Sequence, residues 1–286
     1  MSEFSVTHIA TEGFRVTREN PVAVAIWSVL EIILQFAMAV AMVKSGFALQ
    51  LEALTQGAAP DFTGLAEAFG PLQAQMLWFL PLCLVIQILF RAAILRAILR
   101  PAERSLGYVR FGGDELRLLG LQILLGLAFT VAFTVMTVVA ALLGRAGGAG
   151  ALAATVVIVG GVCGIIFVLV RLSLAAPQTF ATRRLNILGS WTLTQGRFWP
   201  LLGAYLLAFV FYIAVLILGS IVGGVLSLAG GGDMGGAASL STYFTATNVI
   251  SIVVQGTIAA LGTVLLLAAP AAAYKTLTGG PDLDVF

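Results

Sequence analysis

The sequence predicts an all-α polytopic membrane protein. Six spanning helices pair as three hairpins, and amphipathic helices lie along one membrane face. Three observations carry this reading. Hydrophobic residues make up 60% of the chain and charged residues only 10%, far below the roughly 25% charged of a soluble domain. Six long apolar segments alternate with short loops, near 22–43, 73–95, 118–143, 151–170, 201–229 and 249–273. Each is long enough, at about 20 residues, to cross a hydrocarbon core of about 30 Å. The basic residues are distributed unevenly. Of 15 Lys and Arg, 13 fall on one side of this arrangement and only Lys44 and Arg145 on the other. Basic loops are retained in the cytoplasm during insertion, so both termini are expected inside.

The chain reads as one membrane domain over 1–286. Ser5–Asn20 is expected to form an amphipathic helix in the inner headgroup plane, because Val6, Ile9, Ala10, Gly13, Phe14 and Thr17 recur at helical spacing. Glu12, Arg15, Arg18 and Glu19 fall elsewhere on it. The first 20 residues contain Glu3, Glu12 and Glu19 and no apolar core, unlike a cleaved signal peptide. Asn20-Pro21 breaks this helix and opens span one, proline being suited to a first helical position. The outer loop 44–72 is rich in Phe and Leu and is expected to pack on the membrane face.

Span two is expected to continue past the bilayer to Pro101 as a basic extension. Arg96, Arg100 and Arg104 repeat at i, i+4 and i+8 on one stripe. Together with Arg91 they are candidate contacts for anionic headgroups, reached by snorkelling. Asp114 and Glu115 interrupt the inner basic run, so it is not a pure polybasic patch. Spans three and four form a tight hairpin through Gly144–Gly150. The segment 171–200 is again amphipathic, and Trp191, Phe198 and Trp199 suit an interfacial belt. A glycine-rich loop, Gly230–Ala237, precedes span six. Three times the chain runs from an inner amphipathic segment through a span out and a span in, a parallel repeat unlike the inverted repeats of many secondary transporters.

Several short motifs resemble a known family. They are Glu12-Gly-Phe…Arg18-Glu-Asn-Pro21, Arg171-Leu-Ser-Leu-Ala-Ala-Pro177, Ser190-Trp-Thr-Leu-Thr-Gln-Gly-Arg-Phe-Trp199 and the terminal Ala-Tyr-Lys-Thr-Leu. These are similar to the bacterial six-span YciC-like proteins and to the membrane domain that accompanies glycerophosphodiester phosphodiesterases. The resemblance implies an inner-membrane protein tied to envelope or lipid homeostasis. It implies no catalytic residue, since the phosphodiesterase chemistry belongs to a separate soluble barrel.

Motifs for chemistry are scarce. His8 is the only histidine, which argues against a His-based metal site or a Ser-His-Asp triad. Cys83 and Cys163 are isolated within spans. Gly148-Ala-Gly150-Ala-Leu-Ala153 matches a dinucleotide fingerprint but has no preceding strand. Gly160-Gly161-Val-Cys-Gly164 and Gly219-Ser220-Ile-Val-Gly223-Gly224 are small-xxx-small patterns that suit close helix packing.

Glu31 is the sharpest candidate, because it sits about 15 Å into span one, near the midplane. Ser28, Glu31 and Gln35 share one helical face. A carboxyl at this depth is costly and faces a bundle interior or a water cavity. It serves either as a proton or cation site or as a protonated packing group. Gln87, Gln122, Gln255 and the Thr130, Thr134, Thr137 row are read chiefly as interhelical hydrogen-bonders, with the wall of a polar pathway as the alternative. The expected function is a non-enzymatic inner-membrane protein supporting envelope organisation or lipid homeostasis. A small transporter or channel with Glu31 in its pathway is the alternative. A membrane-embedded enzyme would need a cluster of acids or histidines, or a serine-lysine pair, and none is visible. No cofactor is expected. The expected partners are membrane lipids, with a second copy or another membrane protein as further candidates and nothing pointing to nucleic acid.

Overall fold

A computed structural model describes residues 5–46, 62–103, 106–230 and 240–279. It is all-α, with no strand among the described residues, and six helices are long and apolar enough to cross a membrane. The first helix, α1 (Val6–Glu19), is capped by Ser5, whose hydroxyl accepts from the His8 amide at 3.3 Å. Pro21 then opens α2 (Pro21–Ser45), which ends on Gly46 at φ 64°. The next helix, α3 (Phe62–Leu99), is 38 residues long. It begins earlier than expected, so residues 62–72 are helical rather than part of a loop. Its other end stops just before Arg100-Pro101, as the proline requires. The rest of the predicted loop, 47–61, lies outside the described residues, as do Arg104 and most of the glycine-rich segment before span six.

A single 3₁₀ turn (Leu106–Tyr108) leads to α4 (Gly113–Gly144), which pairs with α5 (Gly148–Leu172). Two short helices follow, α6 (Ala175–Thr182) and α7 (Ile187–Leu193). They break the amphipathic segment expected between spans four and five. The third hairpin is α8 (Phe198–Gly230), a turn of helix α9 (Leu240–Tyr243) and α10 (Ala246–Thr278). Thr245 caps α10 by accepting from the Asn248 amide at 3.3 Å.

The three hairpins do not pack equally. Helices α2, α3, α8 and α10 form the compact bundle, with α10 against α8, α2 and α3. Close approach depends on small residues. The run Ala268, Ala269, Ala271, Ala272 and Ala273 is buried, and a Cβ at Gly256 would lie 2.9 Å from the Ile32 Cα. The core includes Trp27 of α2, Phe90 and Ile94 of α3, Leu174, and Val264 of α10. The α4–α5 hairpin stands apart. It touches the rest mainly through α3, α6, α7 and α8, and Leu127, Val131, Phe133, Val156 and Val159 are all exposed.

Helix α1 forms where the helical spacing predicts it, and of its recurring apolar positions Ile9, Ala10 and Gly13 are buried, Val6 and Thr17 half-buried and Phe14 exposed. Ile9, Ala10, Gly13 and Val16 form the buried stripe, and they dock on α10 and α8. A Cβ at Gly13 would lie 2.7 Å from the Leu265 Cα, so the two backbones cross in contact. Phe14 is 46% exposed and meets Phe211 edge-on at 5.3 Å between centroids. Glu12, expected on the polar side, is buried and paired with Arg15, which also bonds Glu19 at 2.8 Å. The Glu12 carboxylate stabilises the charged guanidinium and raises the Arg15 pKa above its ordinary value.

Candidate functional site

Three places collect unusual chemistry. The first lies along the span that carries Glu31. Its side chain is buried, and Gln87 of α3 reaches it with an Nε2–Oε1 distance of 3.5 Å. Thr263 of α10 faces the same carboxyl. Helices α2, α3 and α10 therefore converge on one carboxyl. The predicted trio separates here. Ser28 is buried, but its hydroxyl donates to the Val24 carbonyl at 2.9 Å in its own helix. Gln35 is half-buried one turn from Glu31 on the side toward Ser45. Thr263 was not singled out from the sequence, because a threonine in an apolar span ordinarily bonds its own preceding turn. The Thr130 and Thr137 hydroxyls do just that, bonding carbonyls of α4 from exposed positions, so they line no internal pathway.

The second place is the end of the bundle where the arginines gather. Arg96 was expected to snorkel to headgroups. It is 3% exposed and forms an ion pair with Glu115, itself 1% exposed. Its Nη1 also donates to the Tyr108 carbonyl at 2.8 Å. Arg100 donates to Asp114 at 3.1 Å and to the Phe180 carbonyl at 3.0 Å, with its guanidinium 4.6 Å from the Phe180 ring centroid. Asp114 holds Arg117 as well, at 2.8 Å. Of the predicted stripe, Arg96 lies in α3, Arg100 follows its end and Arg104 is outside the described residues; the first two face α4 and α6 rather than headgroups. The two acids that interrupt the basic run are the reason, since they close on the arginines from the first turn of α4. Arg91 is half-buried, and no described residue hydrogen-bonds or ion-pairs with it.

The same end holds the turn before α4 in a tight grip. Leu106, Gly107 and Tyr108 all have positive φ, which costs about 1–2 kcal/mol for each non-glycine residue. The Trp27 indole donates to the Gly107 carbonyl at 2.8 Å, and the Tyr108 hydroxyl donates to Asn20 at 3.2 Å. These bonds tie the α1–α2 junction to the α3–α4 turn.

The third place is a lateral groove of about 360 Å³ between α4 and α5, lined between Leu125 and Met136 on one helix and Gly161 and Leu172 on the other. Its lining residues are apolar or glycine throughout. The small side chains of Ala128 and Ala132 and the bare backbone of Gly164 leave the space. Gly161 meets Met136 closely enough that a Cβ would clash with the sulfur. Beyond its chain neighbours and the adjacent backbone of its own helix, no atom lies within 4 Å of where a Gly164 Cβ would stand. The patterned glycines of span four therefore divide, one making helix contact and the other facing open space. Near the end of α5, the Arg171 guanidinium lies 5.3 Å from the Phe167 ring centroid and 5.4 Å from that of Trp191. Its Nε and Nη1 are buried without a hydrogen-bond partner among the described residues. Ser190 and Thr194 bond the Arg171 carbonyl at 2.8 and 3.3 Å, which anchors α7 beneath it.

Among the described residues no group of three or more His, Cys, Asp or Glu side chains is placed to hold a metal. Fold and sites together define a multipass α-helical membrane protein. Compared with known proteins, the chain matches no family model, no curated protein and no solved structure.

Proposed function

We propose that this chain is a non-enzymatic multipass protein of the bacterial inner membrane, with both termini in the cytoplasm, that supports envelope organisation or lipid homeostasis through association with membrane lipid. The observation that carries the reading is the α4–α5 hairpin, which leaves the bundle and offers lipid most of its surface together with an apolar groove. The motif resemblance to six-span inner-membrane families points the same way, and the basic residues favour the orientation. A strain lacking the protein, with and without complementation, tests the role. Whole-cell lipid composition and sensitivity to detergent should shift in the deletion and return on complementation. Unchanged lipids and an intact envelope would remove the proposal.

A second reading rests on Glu31, on which three helices converge. In it the protein is a small transporter or channel that moves a proton or small cation through that carboxyl. Reconstituted vesicles that acidify in a Glu31-dependent manner would favour this reading over the first.

A further inference from the structure

Polar side chains are spread unevenly along the interior of the α2, α3 and α10 bundle. On α2, Ser28, Glu31, Gln35 and Ser45 share one face, Gln35 half-buried and the others buried. On α10, Asn248 and Ser251 are buried in the half that runs toward the Lys44 end. The two helices pack together there. A Cβ at Gly256 would touch the Ile32 backbone, and Phe36 stacks on Phe244 at 5.7 Å between centroids. Measured outward from the Gly256–Ile32 contact, Gln35 lies about 5 Å and Ser251 about 8 Å further along. They therefore sit at similar depth, between Glu31 and the Lys44 end.

Two of these groups lack a protein partner. Ser28 and Ser45 donate to carbonyls of their own helix, as a serine in a span ordinarily does. The Ser251 hydroxyl and the Gln35 amide hydrogen-bond no described residue. Neither is sealed as the Thr179 hydroxyl is, so both keep surface that water can touch. A buried polar group in that condition is a water site.

The opposite direction is closed. About one turn inward of Glu31, Trp27 of α2, Phe90 of α3 and Ala268 of α10 are fully buried, with the Trp27 and Phe90 ring centroids 5.8 Å apart. Ile94 and Val264 thicken this apolar layer. Arg91, one turn inward of Gln87 on α3, adds a fixed positive charge that opposes a cation moving inward. Among the described residues, Gln87 and Cys83 of α3 and Thr263 of α10 face the Glu31 carboxyl, and none is charged at neutral pH.

We infer that Glu31 exchanges its proton with the Lys44 side of the membrane only, through water along Gln35, Ser251 and Asn248, and that the Trp27–Phe90 layer bars exchange with the arginine-rich side. The proton passes from water to the carboxylate and returns by the same path, so the carboxyl follows the acidity of one compartment. The inference uses the carboxyl of the transport reading above but needs no net flux.

Sided thiol modification of the full chain tests this, with Cys83 and Cys163 replaced by alanine. A charged, membrane-impermeant methanethiosulfonate is added to spheroplasts or to inverted vesicles, and Lys44→Cys marks the side. Ser251→Cys and Gln35→Cys should react wherever Lys44→Cys reacts and stay unmodified from the other face. Ser28→Cys and Val264→Cys should react from neither. Ser251→Cys is nearly isosteric, so it decides the matter should Gln35→Cys misfold. Infrared difference spectra, with Glu31→Gln as the blank, should show a carboxyl band that responds to pH on the Lys44 side only. Modification of Ser251→Cys or Ser28→Cys from the arginine-rich side would overturn the inference. So would protection of Ser251→Cys from both sides, or a carboxyl band indifferent to pH on both. Proton flux separates the two readings. A one-sided response without flux keeps the inference and removes the transporter, whereas a response from both sides with flux removes the inference and keeps the transporter.

Discussion

Arg96 and Glu115 form an ion pair sealed inside the protein, contributed by consecutive spans 19 residues apart in sequence. The pair fixes the end of α3 against the start of α4, and Tyr108 and Arg100 complete the clasp. One Glu115 oxygen, Oε2, is buried without a partner among the described residues, so the clasp is not saturated. A buried pair of this kind is a weak source of net stability but a costly thing to break.

Breaking it on one side should therefore be worse than removing it. Glu115→Ala or Arg96→Met alone should destabilise by about 3–5 kcal/mol, because each strands a buried charge. The double variant Arg96→Met/Glu115→Leu should recover much of that loss. Thermal melts in detergent read the difference, and an additive double variant would show that the pair is not coupled.

Gly13→Ala should loosen α1. The new methyl meets the Leu265 backbone at 2.7 Å, where no flexible side-chain tip can yield. The helix must shift, at a cost of about 1–3 kcal/mol. Spin labels along residues 5–19 should show Ile9 and Val16 shielded in the wild type and more accessible in Gly13→Ala. Equal accessibility at every position in the wild type would mean that α1 does not dock.

Glu31→Gln separates the two roles of the mid-span carboxyl. The amide keeps the shape and can still bond Gln87, so folding should be retained. Glu31→Ala should cost about 1 kcal/mol, the usual worth of an interhelical hydrogen bond in a membrane. If the carboxyl moves protons, ion flux in vesicles disappears in Glu31→Gln while the melt stays unchanged. Flux that survives the substitution would leave Glu31 a packing group.

Trp191→Ala should release Arg171 from one of its two ring contacts. The loss is about 0.5–2 kcal/mol for a cation–π contact. It should appear as a lower melting temperature and as faster proteolysis within 183–197, because α7 depends on the Arg171 carbonyl for its anchor.

The spans were legible because length, hydropathy and proline position are local properties. Pro21, Gly46 and Pro101 mark boundaries within one or two residues of where helices start and stop. That Arg96 and Arg100 gather at the end of span two was legible, yet the direction of their side chains was not. Whether a basic helical extension meets headgroups or protein depends on where Asp114 and Glu115 return, which is a tertiary fact. The burial of Glu12 was hidden for the same reason, since its shielding comes from packing against other helices and not from its own helix. Glu31 was found by depth alone. Gln87 stood out as an amide within a span, but its pairing with Glu31 required the bundle. Glycines 161 and 164 look alike in sequence, and only the position of Met136 separates contact from open space.

Topology is the claim on which the rest depends, and sided reporter fusions measure it most directly. Six spans with the arginine-rich end in the cytoplasm predict periplasmic readout after Gly46 and Gly147. They predict cytoplasmic readout after Gly189 and Gly279. A periplasmic signal at Gly189 would place Arg171 and its neighbours on the wrong side and contradict the account.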